Sequence, residues 1–221
     1  MADTHILTAD GIQLSLDGRK ILSDVYLRLE TGYVCGLLGR NGQGKTCLMN
    51  VIYGTLKAYY SCIRIDGVNL SSAYRHPSLL TFLPQFPFIP RQLRLKRIFS
   101  DFGLSYRAFA DAFPEMKDHE LEPMARLSGG QQRLVETYVI VCSDARFTLL
   151  DEPFTHLTPL HAEGIAALIA AVKNRKGIMI TDHLYPQVEG ISDDMYVLTG
   201  GKTHLVTDIG DLENLGYVNG K

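Results

Sequence analysis

The sequence predicts an α/β protein built on a mostly parallel sheet, with an N-terminal antiparallel β subdomain and an inserted α-helical subdomain. Three observations carry this. The stretches Tyr33-Val34-Cys35-Gly36-Leu37-Leu38, Phe147-Thr148-Leu149-Leu150 and Ile178-Met179-Ile180-Thr181 are nearly continuously apolar, as strands covered on both faces are. Helical segments alternate with them: one from Gly44 to about Tyr53, stopped by Gly54, and one from Pro159 to about Arg175, stopped by Gly177. Ahead of both, Ile12 to Leu16 and Val25 to Glu30 alternate apolar and polar residues on either side of Asp17-Gly18, the pattern of antiparallel strands joined by a turn.

A third kind of segment lies between Gln85 and Leu127. Pro84, Pro87, Pro90 and Pro114 punctuate it, and the pieces between them read as helical, as from Gln92 to Phe102. The predicted organisation is therefore one domain over residues 1–221. Residues 1–90 and 145–221 form its core with the β subdomain, and residues 91–144 form the helical subdomain.

Composition narrows the function classes. A chain of 221 residues with 46% hydrophobic content is an ordinary globular protein able to bury a full core. A net charge of −2 supplies no basic field for nucleic acid or anionic lipid. The first residues, Met1 to His5, carry no basic stretch followed by an apolar one, so no signal peptide is expected. Apolar segments such as Ile165 to Val172 fall far short of the roughly 20 residues that span a bilayer. Cys35, Cys47, Cys62 and Cys142 are scattered without a CxxC pair, which predicts buried, reduced thiols rather than a disulfide framework or a zinc site.

The chemistry begins at Gly39-Arg40-Asn41-Gly42-Gln43-Gly44-Lys45-Thr46, which matches GxxxxGK[ST] between a buried strand and a helix. In such a loop glycines let backbone N–H groups curl around phosphate oxygens, and the helix N-terminus adds a favourable dipole. Lys45 is placed to reach the β- and γ-phosphates of ATP, and the Thr46 hydroxyl to ligate Mg²⁺. A P-loop NTPase core follows. Leu149-Leu150-Asp151-Glu152 sets two carboxylates at the end of a buried strand, the edge where open α/β sheets bind ligands. One suffices for the Mg²⁺ shell, the role read for Asp151; Glu152 is then free to orient or deprotonate an attacking water. Gln85 closes a short apolar segment where it can meet Mg²⁺ or that water. His183 leaves the same edge, within reach of a γ-phosphate. Cys47 follows Thr46 at the helix start, where a helix N-terminus lowers a thiol's pKa, and is expected to be the most reactive cysteine.

Leu127-Ser128-Gly129-Gly130-Gln131 opens another helix, read from Gln131 to about Val141, and offers a second exposed anion site at Ser128, Gly129, Gly130 and Gln131. Two anion sites with one carboxylate pair imply that each ATP is shared between two copies of the chain.

In this order the segments resemble the nucleotide-binding subunit of an ABC transporter: P-loop (Gly39 to Thr46), Q-loop (Gln85), LSGGQ signature (Leu127 to Gln131), Walker B strand (Phe147 to Glu152) and switch histidine (His183). The resemblance covers nearly the whole chain. It implies a head-to-tail homodimer with two ATP and Mg²⁺ between one P-loop and the other subunit's signature. It also implies a separate transmembrane permease touched by Gln85 and the helical subdomain, and so a place on the cytoplasmic face of the membrane. Thr181-Asp182-His183 and the compact C-terminus are similar to the cassettes of lipopolysaccharide export and branched-chain amino acid uptake. A soluble assembly complex in place of the permease, or a weakly active regulatory partner, are the other functions such a chain can serve.

The chain departs from the family in three places. Leu16 stands where an aromatic usually stacks on adenine, and Tyr26 is predicted on the polar face of the next strand. Thr158 replaces the aspartate usual after Walker B, while still suited to cap the helix that Pro159 begins. The helix after the signature, Arg133-Leu134-Val135-Glu136-Thr137-Tyr138-Val139, lacks the usual Ala-Arg-Ala run. Arg91, Arg94, Lys96 and Arg97 form a basic cluster just past Gln85, read as a solvated face or a docking surface for the permease.

Overall fold

The computed structural model describes residues 4–182, 188–206 and 209–215. Strands β1 (Ile6–Leu16) and β2 (Arg19–Glu30) form an antiparallel hairpin closed by Asp17 and Gly18, both at positive φ (49° and 73°), as a two-residue hairpin turn demands. Both strands are longer than their alternation suggested. The pairing shifts register between Asp10 and Ile12, where Gly11 adopts φ 63°, and such a bulge interrupts the two-residue period.

The chain continues through β3 (Val34–Leu38), α1 (Lys45–Tyr53), β4 (Tyr60–Ile65), β5 (Val68–Asn69), β6 (Leu80–Leu83), α2 (Leu95–Asp101), α3 (Tyr106–Ala112) and α4 (Gly129–Cys142). It closes with β7 (Phe147–Asp151), α5 (Pro159–Val172), β8 (Gly177–Thr181), β9 (Asp194–Thr199), β10 (Lys202–Val206) and α6 (Ile209–Asn214). The described strands join in one sheet of order β5-β4-β1-β2-β10-β9-β3-β8-β7-β6. From β9 to β6 all neighbours are parallel, and from β5 to β2 all are antiparallel. The halves meet through the pairing of Lys202 with Asp24.

Strand residues alternate between two cores. Leu37, Leu149 and Met179 pack with β1, β2 and Leu48 of α1 on one face. Leu38, Leu150 and Ile180 pack on the other with α4, α5 and the helical segment, including Phe99, Phe109 and Leu134. Both faces being covered explains why these strands lack polar alternation. The helix expected from Gln92 begins only at Leu95, because the residues before it pair elsewhere: Met124 N donates to Leu93 O and Leu95 N to Glu122 O. At its C-terminal end α5 tightens over Lys173–Arg175 into a 3-10 turn.

One expectation needs correction. Of the four free thiols only Cys35 is buried; Cys47, Cys62 and Cys142 are half-buried. Strands β4, β5, β9 and β10 complete the sheet over segments to which the sequence analysis assigned no element. Among the described residues no helix is long and apolar enough to cross a membrane.

Candidate functional site

Parallel pairing brings the C-terminal ends of β3, β6, β7 and β8 to one edge. Leu83 pairs with Leu150 and Asp151 with Thr181, so Gln85, Asp151 and Thr181 leave the sheet side by side. Here an open cleft of about 330 Å³ is lined by Ile21, Asn41, Gly42, Gly44, Lys45, Thr46, Cys47, Gln85 and Glu152. Gly39, Arg40 and Gln43 line a separate crevice of about 180 Å³ with Val197, Leu198, Thr199 and Leu215.

The loop's shape follows from its glycines. Gly44 sits at φ 98°, and a Cβ there would lie 2.7 Å from Ile21 Cγ2; no other residue would let α1 start so close to β2. Lys45 is 8% exposed and donates through Nζ to Gly39 O (2.6 Å) and Arg40 O (3.4 Å), closing the loop on itself. Burial pulls its ammonium pKa down, while Glu152, Asp151 and Asp182 oppose that shift.

Asp151 ends β7 at 1% exposure. Its Oδ1 accepts from Thr181 Oγ1 at 2.7 Å, and its Oδ2 has no hydrogen-bond partner among the described residues. A buried carboxylate oxygen without a donor is costly and suits a hard divalent cation. Glu152 turns away because its backbone is left-handed (φ 50°), held by Glu152 N donating to Thr181 O (2.9 Å) and Oγ1 (3.2 Å). Its Oε2 accepts from Gln85 Nε2 (2.8 Å) and Thr155 Oγ1 (3.3 Å). The two adjacent carboxylates thus face different partners.

Ser128 caps α4. Its Oγ accepts from Gln131 N (3.2 Å) while Gln131 Oε1 accepts from Ser128 N (2.9 Å), a complete capping box. Gly130 is required because a Cβ there would lie 2.8 Å from His156 O. Ser128 and Gly129 are exposed, and none of Ser128, Gly129, Gly130 and Gln131 lines the cleft at Lys45. Thr158 caps α5, accepting from His161 N at 3.3 Å, with Pro159 in the first turn. His183 lies outside the described residues.

Cys47 lines the cleft, but its thiol runs opposite to expectation: burial, then the charge of Asp151, pushes its pKa up. The helix N-terminus does not outweigh them. Sequence reasoning also passed over Arg133, whose guanidinium reaches the ends of β6 and β7. Its signal was present: Arg133 and Glu136 are charged residues within the largely apolar run from Leu134 to Val141 and at its edge.

Fold and site together define a P-loop ATPase. More narrowly, the chain belongs to the ABC transporter family, whose model matches residues 22–155. It is 29% identical over 215 residues to the lipopolysaccharide export system ATP-binding protein LptB of Haemophilus influenzae, covering 89% of this chain and 88% of that protein. A probable ABC transporter ATP-binding protein of Azorhizobium caulinodans is 34% identical over 213 residues, 88% of this chain and 74% of that one. Among solved structures, an ATP binding subunit of an ABC transporter superposes with TM-score 0.78 at 20% identity, covering 98% of this chain and 95% of that one. A bacterial Atm1-family ABC exporter with ATP bound gives TM-score 0.81 at 18% identity, covering 97% of this chain and 41% of that one. At these identities the structures speak for the fold.

Proposed function

We propose that this ATPase is the energy-coupling subunit of a transporter, in which two copies close head to tail on two ATP and drive a separate membrane permease. One observation carries the reading. The exposed glycine-rich start of α4 lies apart from the cleft that holds Lys45, Thr46, Gln85 and Glu152, so each anion site needs a partner copy to meet the other. Residues 91–144 would serve as the helical subdomain on the permease side, with Arg91, Arg94, Lys96 and Arg97 exposed toward it.

In this reading backbone N–H groups from Gly39 to Cys47 and the Lys45 ammonium hold the triphosphate. Thr46 Oγ1, Asp151 Oδ2 and the Gln85 amide would hold Mg²⁺, which, when bound, neutralises charge developing on the phosphates. Glu152 accepts a proton from, or orients, the attacking water, and His183 touches the γ-phosphate. Ser128, Gly129, Gly130 and Gln131 close over it from the second copy. Such a subunit sits at the cytoplasmic face of the membrane through its permease.

Mixing tests the shared site. Lys45→Ala and Ser128→Arg proteins should each be nearly inactive alone, and a mixture should regain activity through dimers holding one intact composite site. Phosphate release is the readout, and full activity of either pure variant overturns the reading.

The base should be read weakly. Among the described residues no aromatic side chain lines the cleft, and Leu16 and Tyr26 are 39% and 50% exposed on the outer hairpin. Aromatic stacking on a base is worth about 1–3 kcal/mol, roughly one to two decades of affinity. GTP is therefore expected to bind within about tenfold of ATP, and Leu16→Tyr to tighten ATP. Calorimetry showing tight wild-type ATP binding with strong rejection of GTP would contradict this.

A further inference from the structure

The signature helix α4 buries two charged side chains, Arg133 and Glu136, beside Thr137 and apolar neighbours such as Ile140. Arg133 is 6% exposed and Glu136 1%. Three residues apart, they lie on one side of the helix. Arg133 donates through Nη1 to Pro84 O (2.7 Å) and through Nη2 to Asp151 O (2.7 Å) and Glu152 O (2.8 Å). Glu136 Oε1 accepts from Phe88 N (2.9 Å) and Ile89 N (3.2 Å). Gln85 is thus bracketed, with Pro84 fastened before it and Phe88 and Ile89 after it. Its partner Glu152, 2.8 Å away from Gln85 Nε2, is fastened at its own carbonyl.

Apolar side chains would fill this space with no desolvation penalty, whereas two buried charges carry a large one. Burial pushes the Glu136 carboxyl pKa up, against the two N–H donors and Arg133. What the charges give in return is direction: a planar guanidinium fork serves diverging carbonyls as no apolar group does.

We infer that Arg133 and Glu136 are positioning residues that set Gln85 against Glu152 and tie this pair to the helix beginning at Ser128. The inference rests on the roles proposed for Gln85 and Glu152. Arg133 lies five residues past Ser128, about 7.5 Å along the helix axis. A phosphate group of ATP from a second copy, seated on Ser128 to Gln131, therefore bears on the same rigid rod that holds the hydrolytic pair. Coupling between the two sites runs through five hydrogen bonds to the main chain.

The test uses Arg133→Lys, Glu136→Ala and Glu136→Gln in the full chain, with Glu152→Gln beside them. Arg133→Lys and Glu136→Ala should lower kcat about ten- to hundredfold, as small misplacements of catalytic groups do, with KM for ATP within about threefold of wild type. Glu136→Gln keeps an acceptor for Phe88 and Ile89 and should recover most of the rate that Glu136→Ala loses. Wild-type kcat in the first two variants overturns the inference, and so does a kcat loss accompanied by an equal rise in KM and a lower melting temperature. If Arg133→Lys fails to fold, the Glu136 pair decides. Should Glu152→Gln hydrolyse at the wild-type rate, the site reading fails; should it be slow while Arg133→Lys and Glu136→Ala are normal, only the positioning inference fails.

Discussion

Glu152→Gln should leave ATP binding intact while slowing hydrolysis by about 10²–10⁴, the contribution of a general base. The geometry makes this a clean substitution. The main-chain bonds from Glu152 N to Thr181 and from Arg133 to Glu152 O do not involve the side chain. A glutamine amide of the same length can still bond to the side chains of Gln85 and Thr155. What it lacks is a lone pair basic enough to take a proton from water. ATP should accumulate on the variant, so a nucleotide-dependent dimer is expected by size-exclusion chromatography, alongside loss of phosphate release. Hydrolysis at the wild-type rate would assign Glu152 to another role.

The largest effect on stability is expected from Phe109→Ala. Phe109 is fully buried, and its ring lies 5.0 Å from Phe99, 5.7 Å from Tyr106, 5.4 Å from Phe113 and 4.8 Å from Tyr138. These are tilted and edge-on arrangements, favoured by the ring quadrupole. Helices α2 and α3 have seven residues each, too few to be stable without packing, so the ring cluster is what holds them on α4. Truncation should cost about 3–5 kcal/mol and lower the melting temperature by on the order of 10 °C in a domain of this size. Tyr59→Ala, at a side chain 92% exposed, should shift it by less than about 2 °C. Comparable shifts for the two variants would remove the cluster from its role.

How much of this was legible in the sequence depended on the range of the interaction. The P-loop, the caps at Ser128 and Thr158, the Asp17-Gly18 turn and the helix stop at Gly54 all act within a few residues, and all were read correctly. Buried strands were legible because a short, continuously apolar stretch must be covered on both faces. The later start of α2 was not, since it depends on Leu93 and Leu95 bonding to Met124 and Glu122. Nor was the reach of Arg133, 49 residues from Pro84 in sequence. Cys47 failed for a different reason: a local rule, the helix N-terminus, competes with burial and with a carboxylate, Asp151, that only the folded sheet brings near.

On the role proposed for it, Glu152 sets selection for durability against selection for work. A left-handed backbone at a residue bearing a long side chain costs on the order of 1–3 kcal/mol, and Glu152 bears that strain at φ 50°. Glycine would relieve it. A library of this protein screened for heat resistance alone would therefore drift toward glycine at that position and fill with sturdy, silent cassettes. Thermal selection on this fold should be paired with a turnover assay from the first round.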